Sequence, residues 1–469
     1  MMQEEASALG IHLRALVEAP DGSTAQVTPD APVGAADDEP AVRALLDGPR
    51  PADVLTFEHE LQDPELLERL AAEGVSVQPG PGALLMARDK LAMRRAMDAH
   101  GLPQPSWAEV RGTSTQALAA QVRAFASVHG WPVVLKTPRG GYDGHGVLLV
   151  RAPEELADGE AAGWLEAVAS AWSRSGADMS AQARAGEGAG ADRGAPSPSA
   201  LAGTDAGTDS GTVASGSQAG GGGSLGGGGG SLGGADGSQA GGGGSLGGAQ
   251  VDSLLVEEAV PFTRELAVLL ARRPSGQVEV WPVAETVQDA GMCSEVIAPA
   301  PGLSQAAQAE ARRIGTTVAE GLGVTGVLAV EMFAVESPDP AGGEPTTRLY
   351  VNELAMRPHN SGHWTQDGAV TSQFAQHLRA VLDLPLGSAE PTAPVTVMAN
   401  LLGGSHEPGP DALARALAQE PRAHVHLYGK GVRPRRKLGH VNLTGRPGED
   451  VAGLRDRARA VVDVLRGDA

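Results

Sequence analysis

Hydrophobic positions in the first part of the chain alternate between helical and extended spacing. A helix over residues 1–9 ends at Gly10, and the segment Ile11–Val17 predicts a strand. Helices are then predicted at 41–46 and 64–73, and strands at 54–57 and 75–77. This order predicts a parallel, doubly wound α/β layer. Such a layer usually begins with a strand and a phosphate-binding loop, so we expect that first strand either upstream of Met1 or lost.

Strands become more frequent after residue 84. The helix Asp89–His100 comes first, and the short apolar strands Val133–Leu135 and Val147–Val150 follow on either side of a glycine-rich loop. Further strands are predicted at 254–260, 266–271, 278–283, 293–297, 327–335 and 348–354, and helices at 153–172 (interrupted at Asp158-Gly159), 306–321 and 372–381. We expect 278–283 to pair with 293–297, and 327–335 to lie antiparallel to 348–354.

The elements beyond Pro391 are shorter. Strands at 395–401 and 424–427 flank a helix at 411–418. The fold class is therefore α/β and α+β, in three predicted domains: a truncated doubly wound domain over 1–84, a mixed domain over 85–387, and a small, mainly-β domain over 388–469.

A composition break interrupts the middle domain. Residues 175–249 consist mostly of Gly, Ser, Ala, Asp and Thr, and the twelve-residue sequence Gly216–Gly227 recurs unchanged at Gly237–Gly248. Such a segment cannot bury enough apolar surface to offset the entropy of ordering it. We predict a disordered Gly/Ser-rich insertion in one domain, tolerated because loop-closure cost grows slowly with length.

Composition and charge exclude several classes of function. The net charge of −21 argues against a general nucleic-acid binder, which would carry a basic field. The single Cys293 excludes an internal disulfide and a CxxC metal site. No apolar run approaches the roughly 20 residues of a membrane span. The single cysteine indicates a reducing, cytoplasmic setting, and the acidic N-terminal residues do not match a signal peptide.

The glycine-rich loop between the two short strands offers the first candidate chemistry. Lys136 ends the first strand, and the loop that follows contains four glycines between Gly140 and Gly146. Glycine lets backbone N–H groups close over an anion, and a lysine there would place a point charge on a phosphate. A plain β-hairpin turn is the alternative. The lysine precedes the glycines, so the loop does not match the Walker pattern.

Two acidic positions interrupt apolar strands downstream. Glu331 lies in the strand 327–335, and Asn352 and Glu353 lie in the strand 348–354. Buried carboxylates are costly unless they are paired or bind a cation, and antiparallel neighbours would bring Glu331 and Glu353 together. Hard oxygen ligands beside a nucleotide favour Mg²⁺. A hydrogen-bonded glutamate pair is the alternative.

Two polar segments complete the candidate set. The first is Arg357-Pro358-His359-Asn360-Ser361-Gly362-His363, whose polar side chains suit a polar substrate or else form an ordinary polar loop. The second, residues 428–440, is rich in Lys and Arg within an acidic chain. Arg and Lys there would suit a phosphate monoester, and a solvated basic loop is the alternative.

The order of these features resembles the ATP-grasp superfamily. The strings GGYDGHG (residues 140–146) and RPHNSGH (residues 357–363) resemble, more specifically, the family of 5-(carboxyamino)imidazole ribonucleotide synthases. The basic segment is similar to the family's R-P-x-R-K-x-G-H turn, with Arg435 where the family usually has glycine. The family also has Asn-x-His where Thr286-Val287-Gln288 stands, so we assign no role to Gln288.

The resemblance implies a role for each candidate residue. Tyr142 and Asp143 would orient the substrate and handle its proton, and Lys437 would also act in catalysis. ATP contacts are implied for Arg94, Lys136, Gly141, Tyr142, Asp143, Gly144, His145, Gly146, Val147, Glu257, Glu258, Ala259, Val260, Glu265, Asn352 and Glu353. Ribonucleotide contacts are implied for Arg357, His359, Asn360, Ser361, Lys430, Arg436 and Lys437. Glu331 and Glu353 would hold Mg²⁺.

The implied reaction is the carboxylation of 5-aminoimidazole ribonucleotide with ATP and bicarbonate, in a homodimer that binds small molecules but no nucleic acid or membrane. One alternative is a related ATP-grasp transformylase of the same pathway, which the two strings argue against. The other is a truncated paralogue that binds nucleotide without full activity.

Overall fold

The computed structural model of the protein describes residues 1–47, 50–60, 62–140, 146–172, 251–338, 346–404 and 406–468. The glycine-rich loop residues Gly141–His145, and with them Tyr142 and Asp143, lie outside these residues, as does the insertion 175–249. Predictions for them are therefore not addressed by the structure.

Helices within these ranges match most of the predicted ones. They are α1 Met2–Ala8, α2 Glu39–Asp47, α3 Pro64–Ala72, α4 Pro81–Arg88, α5 Lys90–Ala99, α6 Thr115–His129, α7 (160–172), α8 Gln305–Gly321, α9 Thr365–Gly368, α10 Gln373–Val381, α11 Pro410–Gln419 and α12 Val451–Arg466. The sequence analysis did not predict α4, α6, α9 or α12. The predicted interruption at Asp158-Gly159 is confirmed, because a 3₁₀ turn, Pro153–Leu156, precedes α7.

The strands are β1 Trp107–Val110, β2 Val133–Lys136, β3 Val147–Val150, β4 Leu254–Glu258, β5 Arg264–Arg272, β6 Val278–Val280, β7 Ala284–Asp289, β8 Met292–Ala298, β9 Gly326–Ser337, β10 Thr346–Ala355, β11 Thr396–Leu402, β12 His424–Leu427 and β13 Lys437–Thr444. Within the described residues they form two antiparallel sheets. The smaller has the order β1-β4-β2-β3, and the larger has the order β10-β9-β5-β7-β8-β11-β13-β12, with β6 beside β5.

The N-terminal strands were over-predicted. Residues 11–17, 54–57 and 75–77 form only the isolated parallel bridges Arg14–Asp30, Val17–Val33 and Leu55–Val77. A strand needs a continuous hydrogen-bonded partner, and an apolar run alone does not supply one. The parallel direction of these bridges agrees with the predicted α/β layer.

One predicted strand pairing is wrong. Residues 278–283 do not pair with 293–297, because β7 lies between them in sequence and pairs with β8, whereas β6 pairs with β5. The antiparallel pairing of β9 with β10 is confirmed. At the other end of the large sheet, β11 pairs with β8, so the strands of the C-terminal segment continue the same sheet.

Apolar side chains form several cores around the two sheets. Leu118 and Val122 of α6 and Leu165 of α7 pack against Leu135 and Val256 of the small sheet. Ile314 and Val318 of α8 pack with Val268 and Val330 of the large sheet. The two sheets meet where Lys136 of β2 donates a hydrogen bond to Asn352 of β10. Within the described ranges, no helix has the length and apolar character that crossing a membrane requires.

The chain on either side of the insertion comes close together. The indole Nε1 of Trp172, at the end of α7, donates a hydrogen bond to the carbonyl oxygen of Asp252. A short connection can therefore replace residues 175–249. We expect the deletion to change the turnover number by less than about twofold, because loop length contributes little to stability. Steady-state kinetics of the deletion protein would measure this, and a large loss of turnover would show that the insertion is structural.

Candidate active site

A buried ion network connects the small sheet to α5. Glu257, on β4, accepts a hydrogen bond from Arg94 Nε at 2.6 Å and lies 2.8 Å from Lys136 Nζ on the adjacent β2. Arg94 is 0% exposed and Glu257 is 2% exposed. Burial opposes ionisation of Glu257, but the charges of Arg94 and Lys136 outweigh it and lower the carboxyl pKa to about 2. Burial lowers the pKa of Lys136, and Glu257 opposes that shift.

The same network fixes an irregularity in β10. The guanidinium of Arg94 donates to the carbonyl oxygens of Val351 at 2.8 Å and Asn352 at 3.1 Å. Lys136 Nζ donates to Asn352 Oδ1 at 3.2 Å. The β9–β10 register shifts at this point, between Val351 and Glu353. Arg94 therefore holds the bulge that sets the direction of Asn352 and Glu353.

Three carboxylates lie on one face of the large sheet. Glu331 and Glu353 are direct cross-strand partners, and Glu265 on β5 is two positions from Ala267, the β5 partner of Glu331. Burial, followed by the charges of Glu353 and Glu265, raises the pKa of Glu331 well above 4.5. Opposed like charges are unfavourable without a compensating cation.

Basic groups border this acidic face. Lys90 Nζ lies 3.3 Å from Glu353 Oε1. The charge of Lys437 opposes the rise in the pKa of Glu331 without cancelling it. Lys90 was not among the candidate residues predicted from the sequence. Among the described residues, no cluster of three or more His, Cys, Asp or Glu side chains is arranged to hold a metal ion. Two carboxylates suit Mg²⁺, which commonly binds one or two carboxylates together with substrate phosphates.

Two further groups near Glu265 were not predicted. Gln288 Nε2, on β7, donates to Glu265 Oε2 at 3.3 Å. The rings of Phe262 and Phe333 stack at 4.5 Å in the neighbouring part of the sheet. The Gln288 contact needed the β5–β7 pairing, which the sequence analysis missed.

The polar segment 357–363 lies beside Glu331. His359 Nε2 is 3.4 Å from Glu331 Oε1, and its Nδ1 is 2.8 Å from Ser361 Oγ and accepts from the Ser361 backbone N–H. The hydrogen-bond network therefore assigns the ring proton to Nε2, facing the carboxylate. Burial, followed by the charge of Arg357, lowers the pKa of His359 well below 6.5, so the ring is neutral.

Arg357 joins the N-terminal region to the site. Its Nε lies 2.8 Å from Glu60 Oε1, and its side chain is 9% exposed. Asn360 is buried in the adjacent 3₁₀ turn. Glu60 was not predicted to take part, because only the fold brings residues so distant in sequence together.

The basic segment brings three cations together at the start of β13. Burial, then the charges of Arg436 and Lys437, lowers the pKa of Lys430. Arg436 also donates to the carbonyl oxygen of Gly431 at 3.1 Å. Lys437 is the first residue of β13, and its charge acts on both Lys430 and Glu331. A phosphate is the kind of ligand that such a cluster attracts.

The residue that departs from the resembled turn has an unusual backbone conformation. Arg435 has φ = 64°, a left-handed value that side chains other than glycine adopt at a cost. We expect Arg435→Gly to raise thermal stability by up to about 1 kcal/mol. Arg433→Gly, the matched control with the same charge change and no positive φ, is expected to lower it slightly. Thermal unfolding of both variants would test this, and equal shifts would contradict it.

The remaining predicted residues lie on or next to the strands β3 and β4 of the small sheet. Gly146 and Val147 begin the return strand opposite Lys136, and the Gly146 carbonyl accepts from Thr137 N–H at 2.9 Å. Glu258 ends β4, and Ala259 and Val260 follow in the connection to β5. Thus Arg94, Lys136, Glu257, Asn352 and the acidic face come together. Direct contact with ATP or substrate stays a prediction for each of them.

Two family models match the chain. The ATP-grasp domain matches residues 243–374, and the phosphoribosylaminoimidazole carboxylase C-terminal domain matches residues 396–453. The chain is 40% identical over 469 residues to N5-carboxyaminoimidazole ribonucleotide synthase of Mycobacterium tuberculosis (strain ATCC 25618 / H37Rv), covering 98% of this chain and 83% of that protein.

Solved structures of similar proteins share the fold. N5-carboxyaminoimidazole ribonucleotide synthetase from Thermus thermophilus superposes with a TM-score of 0.68 at 29% identity, covering 99% of this chain and 95% of that one. The carboxyaminoimidazole ribonucleotide synthase of Aspergillus clavatus, solved in complex with ATP, gives a TM-score of 0.68 at 25% identity, covering 99% and 94%.

Proposed function

The chain belongs to the N5-carboxyaminoimidazole ribonucleotide synthase family of ATP-grasp enzymes, and we propose that the cleft around Lys136, Glu331 and Lys437 is its active site. It is an ATP-dependent carbon–nitrogen ligase that carboxylates 5-aminoimidazole ribonucleotide in purine biosynthesis. The observation that carries the site assignment is the direct pairing of Glu331 with Glu353 beside Lys136 and Lys437.

ATP lies, in this proposal, between the two sheets. Lys136 contacts its phosphates, and the backbone from Glu257 to Val260, including Glu258 and Ala259, reads the adenine edge. Glu265 accepts hydrogen bonds from the ribose hydroxyls, because an ionised carboxylate is an acceptor only. Arg94, which is also proposed to contact ATP, positions Glu257 and β10, because its guanidinium hydrogen bonds go to Glu257 and the β10 carbonyls. The resemblance assigns Gly141–Val147 to the binding of the ATP phosphates.

Glu331 and Glu353 would hold Mg²⁺, and Asn352, next to Glu353, would contact ATP. The raised pKa of Glu331 and the opposed carboxylates support this fit, since a cation there removes the repulsion. When bound, the ion supplies positive charge that stabilises the transferred phosphoryl group. His359 keeps its Nε2 proton directed at Glu331 and so orients that carboxylate.

The ribonucleotide lies on the C-terminal side of the acidic face. Lys430, Arg436 and Lys437 take its phosphate, and Arg357, His359, Asn360 and Ser361 surround its base. Glu60 holds Arg357 in place. Lys437, whose charge acts on both Lys430 and Glu331, is positioned to stabilise negative charge as it moves from ATP toward the acceptor.

We propose that the carboxylation takes place in two steps. A bicarbonate oxygen attacks the γ-phosphorus of ATP, the bond to the β-phosphate oxygen breaks, and ADP leaves with carboxyphosphate as the other product. The exocyclic amine of the ribonucleotide then attacks the carbon of carboxyphosphate, or the CO₂ released from it, and phosphate leaves. Tyr142 and Asp143 orient the amine and accept its proton. Exclusion of water protects carboxyphosphate from hydrolysis.

An isotope experiment tests this sequence. With ¹⁸O-labelled bicarbonate, one labelled oxygen is expected in each inorganic phosphate formed in the presence of the ribonucleotide. Phosphate without label would contradict attack by bicarbonate on ATP, even if the carboxylated product forms.

The proposal includes a cytoplasmic homodimer formed through the residues 85–387. Its support is the resemblance to the family. Sedimentation velocity should give twice the chain mass of 47.6 kDa, and a monomer at micromolar concentration would contradict the dimer.

A further inference from the structure

Three imidazole rings form a continuous stack between the polar segment 357–363 and the C-terminal strands. His440, on β13, lies between His363 and His426, with ring centroids 4.8 Å and 4.6 Å away. The interplanar angles are 11° and 18°, so the rings are nearly parallel. His440 is fully buried.

Both ends of the stack are held by hydrogen bonds. At the outer end, His426 Nε2 lies 2.8 Å from Asp367 Oδ2, which also accepts from Asn442 Nδ2 at 2.7 Å. At the inner end, Gln373 Nε2 is 3.0 Å from His363 Nδ1 and donates to the His359 carbonyl at 2.8 Å. The stack therefore connects, through Gln373, to the histidine that faces Glu331.

The middle ring is also attached to the cation cluster. Tyr428 Oη lies 2.7 Å from His440 Nδ1. Lys430 Nζ lies over the Tyr428 ring, 5.3 Å from the ring centroid. Tyr428 N–H donates to the Leu438 carbonyl at 2.8 Å, so the two ends of the basic segment are held together. Tyr428 therefore contacts both Lys430 and His440.

The rings of His363 and His440 are uncharged at neutral pH. Burial, then the charge of Lys437, lowers the pKa of His363 to about 3, and burial also lowers the pKa of His440. Burial raises the pKa of Tyr428, so its hydroxyl keeps its proton for the hydrogen bond. Because the rings of His363 and His440 carry no charge, they stack on each other without electrostatic repulsion.

We infer that His440, through Tyr428, is a positioning residue that couples occupation of the phosphate site at Lys430 and Arg436 to the placement of His363 and His359 beside Glu331. This inference rests on the proposed function for the identity of the phosphate-bearing substrate. Binding of the ribonucleotide phosphate then fixes the polar segment 357–363, which orients the acidic face. A substrate without the phosphate would lose both its contact with the cation cluster and this positioning.

The variant Tyr428→Phe removes one hydroxyl and leaves every ring of the stack in place. We expect it to raise KM for the ribonucleotide about three- to tenfold, as loss of one buried hydrogen bond implies, with KM for ATP and ATP hydrolysis without ribonucleotide unchanged. His440→Ala should raise it further, and His440→Phe, which restores ring contact, should recover part of that loss. His12→Gln, at an exposed ring whose ion pair is with Asp30 and not with any group that holds the stack, is the control and should leave all values unchanged.

Imidazole NMR with labelled histidine provides a readout that does not need turnover. Inorganic phosphate should shift the His363 resonances of the wild-type protein but not those of Tyr428→Phe. An unchanged KM in folded Tyr428→Phe, or equal changes in the two KM values, would overturn the coupling. So would phosphate shifts that persist in the variant. If wild-type protein shows no ribonucleotide-stimulated ADP release while the phosphate shift depends on Tyr428, the proposed function fails and the coupling stands.

Discussion

Replacing Glu331 with glutamine should abolish turnover while making the nucleotide-free protein more stable. Loss of one of the two opposed carboxylates removes a proposed cation ligand, and we expect kcat to fall by at least about 10³-fold. The raised pKa of Glu331 means that the folded protein holds a proton that the unfolded chain releases near pH 4.5. Its contribution to stability is therefore lost as pH rises above 4.5, and the neutral amide avoids this loss.

The stability gain should reach up to about 1 kcal/mol at pH 8 with divalent cations chelated. Glu336→Gln is the matched control, because Glu336 lies on the same strand but pairs with Arg264 outside the acidic face. We expect it to leave kcat nearly unchanged. Glu353→Ala should lose turnover as Glu331→Gln does. Retained turnover in either variant would contradict the cation site.

Replacing Glu257 with alanine should be the most destabilising single change in the cleft. Arg94 and Lys136 would be left buried without their common partner, a loss worth about 3–5 kcal/mol. Turnover should also fall, because Lys136 and the β10 bulge lose their alignment. Thermal unfolding and kinetics measure the two effects separately.

Glu258 provides the control for this change. It is the next residue on β4, is half-buried, and lies 4.0 Å from His129. Glu258→Ala should alter stability by no more than about 0.5 kcal/mol. Because the pKa of Glu257 is about 2, its contribution is present above pH 4.5 and lost as pH falls toward 2. Glu257→Ala should therefore flatten the acid limb of the stability curve, and an unchanged acid limb would contradict the network.

The acidic face could be predicted because strand periodicity and a connecting loop are local properties. An apolar run with one glutamate, a turn and a second such run predict an antiparallel pair, and Glu331 does lie opposite Glu353. The bulge at Asn352 could not be predicted in this way. It depends on Arg94 and Lys136, which reach β10 from other parts of the chain.

Contacts between distant segments account for most of what the sequence did not reveal. The Glu60–Arg357 ion pair, the Gln288–Glu265 hydrogen bond and the histidine stack each require elements that only the fold brings together. In the N-terminal region the opposite error occurred, because segments such as Ile11–Val17 suggested strands but form only isolated bridges. Periodicity reports which face is buried but not which partner completes a sheet.

The most direct test of the central claim is ADP release by the purified protein with ATP, Mg²⁺ and bicarbonate, measured with and without 5-aminoimidazole ribonucleotide. We predict a low rate that the ribonucleotide stimulates strongly, with one ADP formed per carboxylated product. ATP binding without any stimulation by the ribonucleotide would contradict the assignment of this cleft as the active site of a carboxylating ligase.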